Sequence, residues 1–89
     1  MQREPSGLLE CGAPARRDDT GSALLELGIS CTTGNGLPVD LVSAHKWFNL
    51  AAMRGNQDAV RLRREIAAEM TTQEITTAQR AAREWIVTH

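Results

Sequence analysis

The stretch ALLELGISCTTGNGLPVDLVSAHKWFNLAAMRGNQDA, residues 23–59, decides the fold of this chain. Apolar residues recur at spacings of three and four on both sides of a loop that contains two glycines and a proline. Such spacing places the apolar side chains of each segment on one face of an α-helix. We therefore expect two helices joined by a short loop, a connection that favours antiparallel neighbours.

The first predicted helix covers residues 22–33, with Ser22 as its N-cap. Its apolar face consists of Leu24, Leu27, Gly28 and Cys31. Gly28 lies inside this helix, where glycine costs about 1 kcal/mol relative to alanine. We expect that a neighbouring helix approaches closely at this position.

The second predicted helix begins after Asp40, whose carboxylate can accept hydrogen bonds from the first turn. Its apolar face consists of Leu41, Ala44, Trp47 or Phe48, and Ala51. Gly55 suits the residue just past the helix end, where a positive φ is common, and Arg54 suits the last turn. Asn56 can then cap the next helix.

The third predicted helix has the apolar residues Ala59, Leu62, Ile66 and Met70 and the outer residues Arg61, Arg64, Glu65 and Glu69. Arg61 and Glu65 have the spacing of a helical ion pair. Thr71 and Glu74 have the spacing of a capping box, so a fourth helix is predicted from about Thr72 to Val87. Its apolar face consists of Ile75, Ala78, Ala82, and Trp85 or Ile86. No long period-two pattern occurs, which predicts an all-α fold of about four helices.

Residues 1–20 carry glycines, prolines and mixed charges without a sustained apolar period. We interpret them as a flexible N-terminal tail ahead of a helical domain at residues 21–89. The alternative is one helical turn around residues 8–11 that docks onto that domain.

The totals give no support to several classes of function. The formal net charge of -1 gives no electrostatic reason for binding nucleic acid or membranes, and no stretch is long and apolar enough to predict a membrane span or a secretory signal. Cys11 and Cys31 are too few for a disulfide framework, so free thiols and a cytoplasmic location are expected.

Residues 23–59 also resemble the Sel-one-like repeat family, whose helical repeats are related to the tetratricopeptide type. The matching positions are Ala23, Leu27, Gly28, Gly34, Gly36, Leu37, Asp40, Ala44, Trp47, Ala51, Ala52, Gly55, Asn56 and Ala59. Cys31 stands where such repeats often have an aromatic residue, and Leu37 where valine is common. The resemblance implies a short α-solenoid of antiparallel helix pairs and the work of an adaptor or scaffold.

The resemblance covers one full repeat, about residues 22–55, and the start of a second. The third helix lacks the leucine-glycine pair, and no second glycine loop follows it. The fourth helix resembles a C-terminal capping helix. Because about three repeats are normally needed for independent stability, we expect that the fourth helix, the N-terminal tail, a second copy or a partner protein covers the unfinished face.

Three patterns could suggest chemistry, and each has a simpler interpretation. The glycine loop lacks the lysine and the third glycine of phosphate-binding loops. Asp40, Ser43 and His45 could suggest a catalytic triad, but residues two apart on a helix do not face each other. Cys31 and His45 are two of the four ligands that zinc needs. We therefore predict no catalytic, metal-binding or cofactor-binding residues, and no enzyme.

The main hypothesis is a protein-protein interaction module with no nucleic-acid or membrane partner. If the first helix of each pair forms the concave face, the contact residues would be Glu26, Ser30, Arg61, Arg64 and Glu65. Trp47 and Trp85 are predicted core anchors, with a surface role for one of them as the alternative. The alternative function is a structural unit that forms a homodimer through the unfinished face.

Overall fold

The computed structural model describes residues 20–33 and 39–88, and these form an all-α fold, as the apolar spacing predicts. Within those residues four helices occur, and no strand does. They are α1 (Gly21–Thr33), α2 (Leu41–Met53), α3 (Gln57–Ala67) and α4 (Thr72–Thr88). All four helices begin within two residues of the predicted positions. Local capping signals mark where three of them begin.

The predicted N-caps of α2, α3 and α4 are confirmed. The Asp40 carboxylate accepts from the backbone N–H of Ser43 at 3.0 Å, and the Asn56 side chain accepts from the N–H of Ala59 at 2.9 Å. Thr71 and Glu74 form both bonds of the capping box, at 2.9 and 3.0 Å. Each cap satisfies a backbone N–H that the helix leaves without an intrahelical acceptor.

The start of α1 differs from the prediction, whereas the end of α2 agrees with it. The prediction that Ser22 caps α1 was wrong: Thr20 Oγ1 accepts from the Ala23 N–H at 3.1 Å, so the helix begins one residue earlier. At the end of α2, Gly55 has a φ of +88°, and the N–H groups of Gly55 and Asn56 donate to the carbonyls of Ala52 and Ala51. This is a Schellman motif, which confirms the predicted role of Gly55.

Helix α2 occupies the centre of the described fold. Helices α1, α3 and α4 each pack against it, whereas they make few contacts with one another. Its buried residues are therefore not confined to one face: they are Ser43, Ala44, His45, Lys46, Trp47, Phe48, Leu50 and Ala51. The sequence predicted a single apolar stripe with either Trp47 or Phe48 in it, and both are buried because α2 has neighbours on several sides.

Three contacts attach α1 and α4 to α2 and to the residue before it. The rings of Trp47 in α2 and Trp85 in α4 meet edge to face, with centroids 6.1 Å apart and an interplanar angle of 83°. Gly28 of α1 packs against the Phe48 ring so closely that a Cβ at Gly28 would overlap its Cδ1 and Cε1 atoms. The predicted close approach at Gly28 is thus confirmed. The amide of Asp40 also donates to the carbonyl of Cys31 at 3.0 Å, which joins the end of α1 to the start of α2.

Cys31 corrects the expectation of free thiols. It is fully buried and disulfide-bonded, and no free cysteine occurs among the described residues. The other cysteine of the chain, Cys11, lies outside them. A count of two cysteines argued against a disulfide framework, but it does not exclude a single bond.

Two sequence predictions fall on residues that are not described. They are the interpretation of the N-terminal tail, at residues 1–19, and the repeat positions Gly34, Gly36 and Leu37 in the loop between α1 and α2. Within the described ranges, no helix combines the length and the apolar character needed to cross a membrane.

Candidate docking groove between the first and third helices

A groove open to solvent runs between α1 and α3, because both helices pack on α2 and leave a gap between them. Its volume is about 400 Å³. The described residues that line it are Ile29 and Thr32 from α1, Phe48 from α2, and Leu62, Glu65, Ile66 and Glu69 from α3. The groove is therefore made by α1, α2 and α3.

Apolar side chains form most of the surface of this groove. The Phe48 ring lies at its floor and is almost completely buried, whereas Ile29 on the α1 wall is 38% exposed. Thr32 contributes little polarity, since its hydroxyl donates to the carbonyl of Ile29 at 2.8 Å. An exposed isoleucine beside a recessed aromatic ring is a surface that gains stability when an apolar group covers it.

The α3 wall adds negative charge. Glu65 and Glu69 lie one turn apart on α3, and both are exposed. Arg61 donates to the Glu65 carboxylate at 3.2 Å and also lies 3.6 Å from Asp58, which confirms the predicted pair of Arg61 and Glu65. Arg61 itself does not line the groove.

The five predicted contact residues do not share one site. Glu65 lines the groove, and Arg61 touches it through its bond to Glu65. Arg64 is exposed on α3 but does not line the groove. Glu26, which is exposed, and Ser30, which is half-buried, lie on α1 outside the groove lining. As partner contacts, all five remain predictions.

The sequence reasoning missed Ile29, Phe48 and Glu69 as groove residues. Ile29 offered a signal, because it is an apolar residue outside the predicted face of the first helix. Phe48 is one of two alternatives for the predicted apolar face of the second helix, and it serves both the core and the groove floor. Glu69 had been placed on the outer face of its helix, which is compatible with its exposure here.

Two of the residues that could suggest a triad, Asp40 and Ser43, are engaged in other ways, and the third, His45, is buried. Asp40 caps α2, and its Oδ2 also accepts from the Ser43 hydroxyl at 2.8 Å. Within the described residues, Nδ1 of His45 is buried without a hydrogen-bond partner. Cys31 is disulfide-bonded and so has no thiolate to offer a metal, and no cluster of metal-ligand residues occurs in the described ranges.

His45 lies at the contact between α2 and α3. One turn further along α2, Asn49 accepts from Arg63 Nη1 of α3 at 2.6 Å. Burial of the imidazole, and then the nearby positive charge of Arg63, hold the pKa of His45 below its ordinary value of 6.5. The neutral form is thus favoured in the folded protein.

The lowered pKa of His45 predicts loss of stability in mild acid. In the pH window below 6.5 the unfolded chain binds a proton at this histidine that the folded protein does not bind, so the free energy of unfolding falls as the pH falls. The slope should reach at most about 1.4 kcal/mol per pH unit, the limit for one proton. Urea unfolding between pH 7.5 and 5.5 measures it, and His45→Gln should flatten the dependence. An equal slope in both proteins would assign the effect to other groups.

A second concave surface lies on α4 alone among the described elements. Its lining consists of Arg80, Arg83, Glu84, Val87 and Thr88, and its volume is about 350 Å³. Val87 is 84% exposed there, and the neighbouring Ile86 is 40% exposed. This end of α4 therefore presents apolar side chains among charges of both signs.

The residues that carry the repeat resemblance are mostly structural. Gly28, Ala44, Trp47, Ala51 and Ala59 are buried, and Ala23, Leu27, Asp40, Ala52 and Asn56 are half-buried.

Comparison of the chain with family models, with curated proteins and with solved structures found no match in any of the three.

Proposed function

We propose that this chain is a non-catalytic protein-protein interaction module that binds its partner in the groove between α1 and α3. The observation that carries the proposal is the apolar surface of that groove, which has Ile29 exposed on one wall and is open to solvent. Protein interfaces centre on apolar and aromatic groups with a polar rim, and the groove has this arrangement.

The Sel-one-like repeat resemblance is part of the same proposal. It is supported by the joined pair of α1 and α2, by the packing of α3 and α4 on α2, and by the close approach at Gly28. In a short α-solenoid of this kind, the groove would lie between the first helices of two successive pairs. The adaptor or scaffold role, with no enzyme activity and no cofactor, follows from the resemblance.

Affinity purification of the tagged chain from its own cell, followed by reconstitution with each recovered protein, tests this proposal. Ile29→Asp should abolish binding of the partner, because a carboxylate then replaces the exposed apolar wall. The matched control is Val87→Asp, which makes the same change at an exposed site on α4. Equal binding by both variants would contradict the proposed groove.

Self-association is the second candidate, and the exposed end of α4 favours it. Val87 and Ile86 are exposed next to Arg83 and Glu84, so two copies related by a twofold axis could bury the apolar side chains and pair opposite charges. Light scattering at several concentrations separates the candidates, since a constant mass of 9.7 kDa would exclude a homodimer in that range.

A cytoplasmic location is also part of the proposal. Disulfides persist mainly in oxidising compartments and are rare in the cytosol, so the disulfide at Cys31 is evidence against that location. Alkylation of thiols in freshly lysed cells, read by mass spectrometry, decides whether Cys31 is oxidised where the protein works.

A further inference from the structure

We propose that the groove between α1 and α3 receives a short amphipathic helix of the partner, with apolar side chains facing α2 and two basic side chains facing Glu65 and Glu69. This inference rests on the proposed function and names the kind of partner that the groove fits.

The length of the groove suits such a helix. The α3 residues that line it run from Leu62 to Glu69, a rise of about 10 Å at 1.5 Å per residue. That length equals about two turns, over which an amphipathic helix presents three or four apolar side chains on one face. Burying Ile29 on one wall and Leu62 on the other supplies the apolar part of the binding energy.

The charged residues of the groove favour a partner segment of positive charge. Both ionisable residues among its described lining, Glu65 and Glu69, are acidic. They are four residues apart on one helix, so basic residues at the same spacing on a partner helix would face them in register. An acidic segment would meet two like charges, and the described residues that line the groove include no cation.

The Glu65 carboxylate can accept further hydrogen bonds while Arg61 donates to it. A carboxylate has about four acceptor sites on its two oxygens, and Arg61 Nη1 is the donor that reaches Oε2 at 3.2 Å. Both side chains of this pair are more than half exposed, and such pairs contribute little in water. Arg61 should nevertheless compete with a basic partner for Glu65.

The test uses three synthetic peptides of about 14 residues, or four helical turns. They share one amphipathic apolar pattern and carry lysine, glutamine or glutamate at the two flanking positions. Binding to the full chain is followed through the NMR signals of the methyl groups of Ile29, Leu62 and Ile66. We expect the lysine peptide to shift these signals with the highest affinity, and added salt to weaken it.

Variants of Glu65 and Glu69 test whether these two carboxylates contact the lysine peptide. The double change Glu65→Gln and Glu69→Gln should weaken the lysine peptide about fivefold, as the loss of two exposed charge pairs implies. The matched control, Glu74→Gln with Glu84→Gln, removes two exposed glutamates outside the groove and should leave the affinity unchanged, since glutamine also completes the capping box at Thr71. Arg61→Gln should strengthen binding about twofold by removing the competing cation.

Other results of these binding experiments would contradict the inference. Equal binding of the three peptides at these methyl groups, or equal weakening by both double variants, would overturn the basic partner and leave the proposed function standing. No shift with any peptide would overturn this inference, whereas the proposed function is decided by the comparison of Ile29→Asp with Val87→Asp. Shifts of the same methyl signals on concentrating the protein alone would place a second copy in the groove and also overturn this inference.

Discussion

Gly28→Leu is expected to leave the chain unfolded or expanded at room temperature. The Cβ of any larger residue at this position would overlap the Phe48 ring, which is 1% exposed, so either the ring or α1 has to shift. Overpacking by a small amount already costs about 1–3 kcal/mol, and leucine adds three further carbons. The free energy of unfolding of a domain of this size is about 5–10 kcal/mol in total. Circular dichroism with a thermal melt measures the loss.

Gly28→Ala provides the graded version of this experiment. Alanine gains about 1 kcal/mol of helix propensity, so a net loss of stability shows that the clash with Phe48 outweighs this gain. In a Phe48→Leu background the clash is relieved, and Gly28→Ala should then cost little or become stabilising. A Gly28→Leu melting temperature within about two degrees of the parent would show that no close contact exists here.

Trp47→Ala should have the second largest effect, a loss of about 3–5 kcal/mol in the free energy of unfolding. Trp47 is 2% exposed and makes the edge-to-face contact with Trp85 that holds α4 on α2. The ammonium group of Lys46, 4.1 Å from the centroid of the Trp47 ring, would also lose its aromatic neighbour. For a domain of 60–100 residues this loss lowers the melting temperature by at least about 12 °C.

Ile86→Ala is the matched control for that prediction. Ile86 follows Trp85 on α4 but is 40% exposed, so its truncation should change stability by no more than about 0.5 kcal/mol. If Trp47→Ala cost as little as Ile86→Ala, the tryptophan pair would not be the anchor of α4. That result would favour the alternative of a surface role for one tryptophan.

The candidate site was less predictable than the fold. Glu65 and its pair with Arg61 followed from helical spacing alone, because residues four apart on a helix are neighbours whatever surrounds them. Ile29 and Phe48 become parts of one groove only because α1 and α3 both pack on α2 while leaving a gap. The disulfide at Cys31 was missed because a cysteine count does not report which thiols come together.

The sequence by itself determined where the helices begin and how α2 ends. The caps at Asp40, Asn56 and Thr71 and the turn at Gly55 are bonds between residues at most five apart, so each forms wherever its segment is helical. The tertiary structure decided which of those residues become buried on α2. His45 and Lys46 read as polar residues beside an apolar stripe, but three helices pack around α2 and exclude water from both. Burial, the pKa of His45 and the groove depend on contacts between distant segments, which a local pattern does not contain.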